Sequence, residues 1–168
     1  NTVYLASLGC SKNQVDSEIL LGLLQQEGYV IVEEPQDADI IIVNTCGFIQ
    51  SAKEEAIETI LTMAQYKEKE FGQCQLLIAM GCLVQRYAEE LMHEIPEVDG
   101  FYKVGELAPL LCQINGFAKL RSCVPKMDNT IYCRRKLLSP GHFAYLRIAD
   151  GCNNCCAYCA IPAIRGKY

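Results

Sequence analysis

The sequence predicts an α/β fold, a flavodoxin-like parallel sheet flanked by helices, over residues 1–116. Three observations carry this reading. Short β-rich runs alternate with segments of helical periodicity. One run, IIIV at 40–43, is apolar and β-branched throughout, as a strand covered on both faces must be. The chain has 168 residues and is 51% hydrophobic, enough for one well-formed core and the start of a second domain.

The elements follow in order. Residues 3–7 read as a strand that breaks at Gly9 and Cys10. Val15, Ile19, Leu20, Leu23 and Leu24 recur at helical spacing, and Gly28 ends that helix. Residues 29–32 and 40–43 read as the second and third strands. Only residues 33–39 separate them, fewer than a helical crossover needs. The second strand therefore either lies at an edge behind a single-turn connection or runs antiparallel. Ala52, Ala56, Ile57, Ile60, Leu61 and Ala64 form one face of a long helix, and Lys53, Glu54, Glu55 and Glu58 its solvated face. Residues 76–80 supply a fourth strand, with Val84, Tyr87 and Leu91 marking the next helix. Residues 101–104 and 107–114 add a last strand–helix pair.

Periodicity fades over 117–141, which holds Pro125, Asn129, Pro140 and the basic group Arg134, Arg135 and Lys136. This stretch reads as a linker with some strand at 131–133, its basic residues solvated. Residues 143–148 look like the first strand of a new domain spanning 142–168.

The formal charge of −5 and pI near 5.1 argue against a large basic surface for nucleic acid. The longest apolar run is far too short to span a membrane, and NTVYLASLGC has no secretory pattern, so a cytoplasmic protein is expected. The 11 cysteines are an odd count in a chain with an ordinary core, which favours reduced thiols serving a metal or cluster over a disulfide framework.

Three of those cysteines share a setting. Cys10, Cys46 and Cys82 each follow a predicted strand and each has a glycine neighbour, Gly9, Gly47 or Gly81. In a parallel sheet such strand ends share the carboxyl edge, where open α/β folds bind ligands. Glycine lets backbone N–H groups approach, and helix N-termini favour the negative charge of a thiolate-ligated cluster. The competing reading is packing, since an isolated cysteine at a strand end is usually a small buried hydrophobe. Cys74, Cys112, Cys123 and Cys133 lack this setting and read as incidental.

The second group is GCNNCCAYCAIP. Cys152, Cys156 and Cys159 form a Cys-x-x-x-Cys-x-x-Cys run with Tyr158 before the last cysteine. Three thiolates on a four-iron cubane leave one iron open to a small molecule. Zinc competes, because Cys152/Cys155 and Cys156/Cys159 both match Cys-x-x-Cys, but structural zinc draws its pairs from separated loops and these pairs abut. Spacing alone also allows Cys152, Cys155 and Cys159 as the iron–sulfur set.

Taken together, SLGCSKNQVDSE, ADIIIVNTCGFIQSAKEE, MGCLVQRY and HFAYLRIADGCNNCCAYCAIPAIRGKY resemble the methylthiotransferase family of radical S-adenosylmethionine enzymes. The first two are most similar to its ribosomal-protein branch. The resemblance implies that Cys10, Cys46 and Cys82 bind an auxiliary 4Fe-4S cluster. It implies that Cys152, Cys156 and Cys159 bind the radical cluster, whose open iron chelates S-adenosylmethionine, with Tyr158 near the adenine and Cys155 a bystander. The implied reaction is methylthiolation at the β-carbon of an aspartate on a small-subunit ribosomal protein. Sulfur and electron donors stay unspecified, and nucleic acid is met only through the ribosome. The family's radical domain, a partial (β/α) barrel, extends well past the stretch matched by 142–168. The 168 residues alone are thus expected to hold the auxiliary cluster without catalysing. Two other functions compete: the same chemistry on transfer RNA, and a non-enzymatic module holding zinc or a cluster. His93 and His142 have no partner at recognisable spacing and receive no role.

Overall fold

A computed structural model describes residues 1–118 and 134–168. Its described strands are β1 (Thr2–Ser7), β2 (Val30–Ile31), β3 (Ile40–Thr45), β4 (Leu76–Gly81) and β5 (Gly100–Tyr102). They form one sheet in the order β2-β1-β3-β4-β5 with every pairing parallel. That is the strand order of flavodoxin-like sheets. The helices are α1 (Ser11–Gln26), α2 (Gln50–Ala64), α3 (Cys82–Glu94), α4 (Leu107–Phe117) and the short α5 (Ile161–Arg165).

The short connection after β2 resolves in favour of the edge. Among the described strands β2 pairs only with β1, through Thr2 with Val30 and Val3 with Ile31, and a single 3-10 turn at Pro35–Asp37 leads to β3. The connection still crosses β1, but only at its first residues, where Thr2 Oγ1 donates to the Asp37 carbonyl and accepts from the Asp39 amide, so a short turn suffices behind a two-residue strand. The strand expected at 131–133 lies outside the described residues, as do Cys123 and Cys133.

Helices cover both faces. On one, Val3, Ile40, Ile42, Ile78 and Met80 pack with Leu20 and Leu24 of α1 and Leu110 and Ile114 of α4. On the other, Ile41, Val43, Leu77 and Ala79 pack with Ala56 and Ile60 of α2 and Leu83, Val84 and Leu91 of α3. Alternation along β3 and β4 thus feeds two cores, so both strands are apolar at successive positions. Each fully buried Leu or Ile stabilises the fold by about 1.5–3 kcal/mol relative to exposure. The register pairs Ser7 with Asn44, Asn44 with Met80 and Thr45 with Gly81, so β1, β3 and β4 end level with one another.

Residues 143–148 differ from expectation. They form no strand among the described residues, and Leu146 and Ile148 are 83% and 84% exposed. A strand requires a neighbour to take its backbone hydrogen bonds, and no described strand runs alongside. This stretch is anchored by side chains instead: Arg147 bonds Asp16 of α1, and Phe143 meets His142 and Tyr145 edge-on. Just upstream, the Lys136 and Leu138 amides donate to the backbone carbonyl and to Oε1 of Glu18 at 2.9 and 3.0 Å. No described helix is long and apolar enough to cross a membrane.

Candidate metal centre at the carboxyl edge of the sheet

The level strand ends bring the upstream cysteines together. Cys46 follows β3 directly, Cys82 follows β4 as the first residue of α3, and Cys10 is the N-cap residue of α1. With Gly9, Lys12, Phe48, Ile161 and Arg165 they line one cavity of about 440 Å³. Cys46 and Cys82 are buried and Cys10 is exposed at the rim. Burial pushes the Cys82 thiol above its ordinary range, and Arg165 pulls it back down; the neighbouring Cys46 and Cys10 also push it up.

The glycines beside these thiols answer to geometry. Gly9 has φ +88°, and a Cβ there would stand 2.6 Å from Cys46 Cβ and 2.9 Å from its sulfur. Gly81 has φ +105°, and its Cβ would meet Asn44 Oδ1 at 2.4 Å. Any other residue would meet strain from the backbone and a collision at once. At Gly47 the carbonyl accepts from Arg86 Nη1 at 2.8 Å, which fixes the turn after Cys46.

A polar network below the cavity sets its shape. Asn13 Nδ2 donates to the Leu8 and Thr45 carbonyls at 3.1 and 2.9 Å, tying α1 to the ends of β1 and β3. Asn44 Nδ2 donates back to the Asn13 carbonyl and to Ser17 Oγ. Thr45 Oγ1 donates to the Met80 carbonyl, joining β3 to β4. Each of these buried side chains is hydrogen-bonded, as low-dielectric surroundings demand, while Asn44 Oδ1 is left without a hydrogen-bond partner among the described residues. Their bonds span distant segments, so the network is rigid only when the sheet is formed.

The second cysteine run closes over the same edge. α5 follows Cys159 and places Ile161, Ile164 and Arg165 on the cavity. Arg165 Nη2 donates at 2.8 Å to both Asn13 Oδ1 and Asp16 Oδ2 and at 3.8 Å to Cys82 Sγ, while Nη1 reaches Asp150 Oδ1 at 2.8 Å. Burial works against the charge on its guanidinium, but Asp16 and Asp150 outweigh it and push its pKa above the ordinary value. Around α5, the Cys152 amide donates to the Gly166 carbonyl and the Tyr168 amide to Asn153 Oδ1, pinning the run at both ends.

Within the run, Cys152 and Cys159 are half-buried, whereas Cys155 and Cys156 are exposed. The Cys159 amide donates to the Cys156 carbonyl in a tight turn, and the Asn154 amide reaches Cys152 Sγ at 3.5 Å. Tyr158 projects into solvent, 90% exposed.

Among the described residues, no group of three or more His, Cys, Asp or Glu side chains is gathered as tightly as a single metal ion requires. A cubane cluster is less demanding in that respect, because each thiolate binds a different iron and the sulfurs stand further apart. Thiols around one cavity, with a guanidinium beside them and helix N-termini at Cys10 and Cys82, suit an anionic cluster better than a lone zinc ion.

Sequence reasoning assigned no role to Asn13, Asp16, Arg86, Asp150 or Arg165. The available signal was weak: a lone basic residue in the apolar stretch AIPAIRG, and an asparagine three positions after Cys10. Neither has meaning until the partner segment is known.

The fold and this edge define a class: an α/β protein with a parallel sheet whose carboxyl end carries a cysteine-lined cavity. Residues 2–103 match the family described as Uncharacterized protein family UPF0004, and the chain belongs to that family. The match runs from β1 to β5 and takes in Cys10, Cys46 and Cys82. The chain is also 46% identical over 172 residues to the ribosomal protein uS12 methylthiotransferase RimO of Desulforamulus reducens, covering 99% of this chain and 38% of that protein. Proteins of the same name from Desulfitobacterium hafniense and Clostridium kluyveri are 49% and 50% identical over 171 residues, again with 99% of this chain and 38% of theirs. The chain thus spans little more than a third of the length of these relatives.

Proposed function

We propose that this chain belongs to a radical S-adenosylmethionine methylthiotransferase that modifies an aspartate β-carbon on the small-subunit ribosomal protein uS12. The observation that carries this reading is the convergence of Cys10, Cys46 and Cys82 on a cavity closed by the helix that follows the second cysteine run. A second three-thiol set beside the one that would hold the radical cluster offers an open iron at which sulfur could be carried. The names of the relatives supply the substrate.

Cys10, Cys46 and Cys82 would hold the auxiliary 4Fe-4S cluster, and Cys152, Cys156 and Cys159 the radical cluster, with Tyr158 free to close on an adenine. When bound, these groups with S-adenosylmethionine supply the electron, the hydrogen abstraction, the sulfur and the methyl group. The chain's own residues bind, orient and exclude water. Ile161, Ile164 and Phe48 all present apolar surface to the cavity, which lowers the share of its lining that can hold water. Asn13 and Arg86 hold the loops that carry the upstream thiols. Residues 1–116 form the auxiliary-cluster domain, 117–141 the connection and 142–168 the opening of the radical domain. The setting is the cytoplasm, and the electron and sulfur donors stay unspecified.

Mass spectrometry of ribosomal proteins from a strain lacking the gene tests the substrate. The methylthio group should vanish from the uS12 aspartate and return with the whole gene. Its persistence removes the ribosomal assignment, and loss of a methylthio group from transfer RNA instead moves the chemistry to the nucleic acid.

A further inference from the structure

Arg165 belongs to neither cysteine set, yet its side chain is only 1% exposed and lies against Cys82. Burying a guanidinium is costly unless charge and hydrogen bonds compensate it. Asp16 and Asp150 compensate here, and Arg147 pairs with the same two carboxylates, so the four charges sum to zero. This explains how the charge is tolerated. It does not explain why the guanidinium sits at the thiol.

The local donor and acceptor pattern does. Nη2 carries two protons and faces three acceptors: Asn13 Oδ1, Asp16 Oδ2 and Cys82 Sγ. In the thiol form Cys82 itself donates to Asn13 Oδ1, at 3.4 Å. The Asn13 amide cannot turn round to help, because its nitrogen is committed to the Leu8 and Thr45 carbonyls. Binding iron removes the thiol proton. The sulfur then becomes an acceptor facing an amide oxygen, and Arg165 Nη2 is the donor within reach.

We propose that Arg165 is a positioning residue for Cys82: it donates to the sulfur in its thiolate form, fixes that ligand, and raises the reduction potential of the cluster it holds. The inference rests on the reading that Cys10, Cys46 and Cys82 bind a cluster. Hydrogen bonds to ligand sulfur and nearby positive charge both stabilise the reduced, more negative cluster. Because Arg165 arrives on α5, directly after the second cysteine run, the potential of one cluster depends on the docking of the segment that carries the other.

The test uses the full chain with Cys152, Cys156 and Cys159 changed to Ala, reconstituted anaerobically with iron and sulfide. Iron analysis comes first. A parent chain that binds no iron overturns the cluster reading and the role of Arg165 with it. With iron bound, R165M should shift the midpoint potential downward, with the reduced-to-oxidised ratio at fixed potential falling about tenfold, or about 59 mV for one electron. R165K, which keeps the charge, should restore most of that shift. An unchanged potential in iron-loaded R165M overturns the role of Arg165 and leaves the cluster reading intact. If R165M does not fold or load, the parent chain labelled with ¹⁵N-arginine decides. Pulsed electron paramagnetic resonance of the reduced cluster should show a ¹⁵N coupling that disappears in R165K, and absence of that coupling in the parent overturns the proposal.

Discussion

The two cysteine groups reach their places by different physics. Cys152, Cys156 and Cys159 lie within eight consecutive residues, so the chain itself keeps them close, in a half-exposed loop held by a tight turn and by bonds to residues 166 and 168. Cys10, Cys46 and Cys82 are 36 residues apart at each step and meet only because β1, β3 and β4 are neighbours ending level. The first group is a local motif, and the second is a product of topology. The upstream site should therefore fail whenever the sheet fails, while the downstream loop should tolerate the same damage.

The largest expected break in this comparison comes from the core. Ile42 is fully buried in the middle of β3. Ile42→Ala should cost about 2–5 kcal/mol in urea denaturation and strip iron from the upstream site. Ile148→Ala, at an 84% exposed position, should stay within about 0.5 kcal/mol. Gly81→Ala comes next. Its positive φ and the 2.4 Å approach to Asn44 Oδ1 predict a loss of about 1–3 kcal/mol. On the proposed assignment of Cys10, Cys46 and Cys82 to a cluster, iron uptake should then fall by about four atoms per chain.

Gly22→Ala sharpens the comparison from the other side. Its Cβ would stand 2.0 Å from the Arg134 carbonyl oxygen, so residues 134–138 must lift off α1. Hydrogen exchange should show lost protection at the Lys136 and Leu138 amides, with β3 and β4 unchanged. The smallest effect is with pH. Burial pushes the Cys74 thiol above its ordinary 9.0. The folded state then keeps a proton that the unfolded chain releases. This contribution to stability is complete below pH 9 and is lost as pH rises through the folded value. Tyr4 and Tyr29 are pushed up by burial in the same sense. Cys74→Ala should flatten part of the alkaline decline in the urea midpoint between pH 8 and 11, and an unaltered slope would assign the decline to the tyrosines and Cys82.

Legibility followed sequence distance. The period of Val15, Ile19, Leu20, Leu23 and Leu24 marked α1 and the face it turns to the sheet. The same helix also buries Asn13, Ser17, Glu18, Leu21 and Gly22. That second face was unreadable, because part of what covers it arrives from residues 134–138 and 165, more than a hundred positions away. Polar residues under a distant segment look solvated in sequence.

By itself, the sequence determined the alternation of strands and helices, the apolar run of β3, the glycine beside each upstream cysteine and the spacing of the downstream run. All of these are set by local backbone preference and by residue type. Only the tertiary structure decided that β1 stands between β2 and β3, that residues 143–148 form no strand among the described residues, and that Arg165 enters the cavity of Cys82, 83 residues earlier. Pairings over such distances depend on which surfaces remain to be buried after local structure has formed, and that is a property of the whole fold.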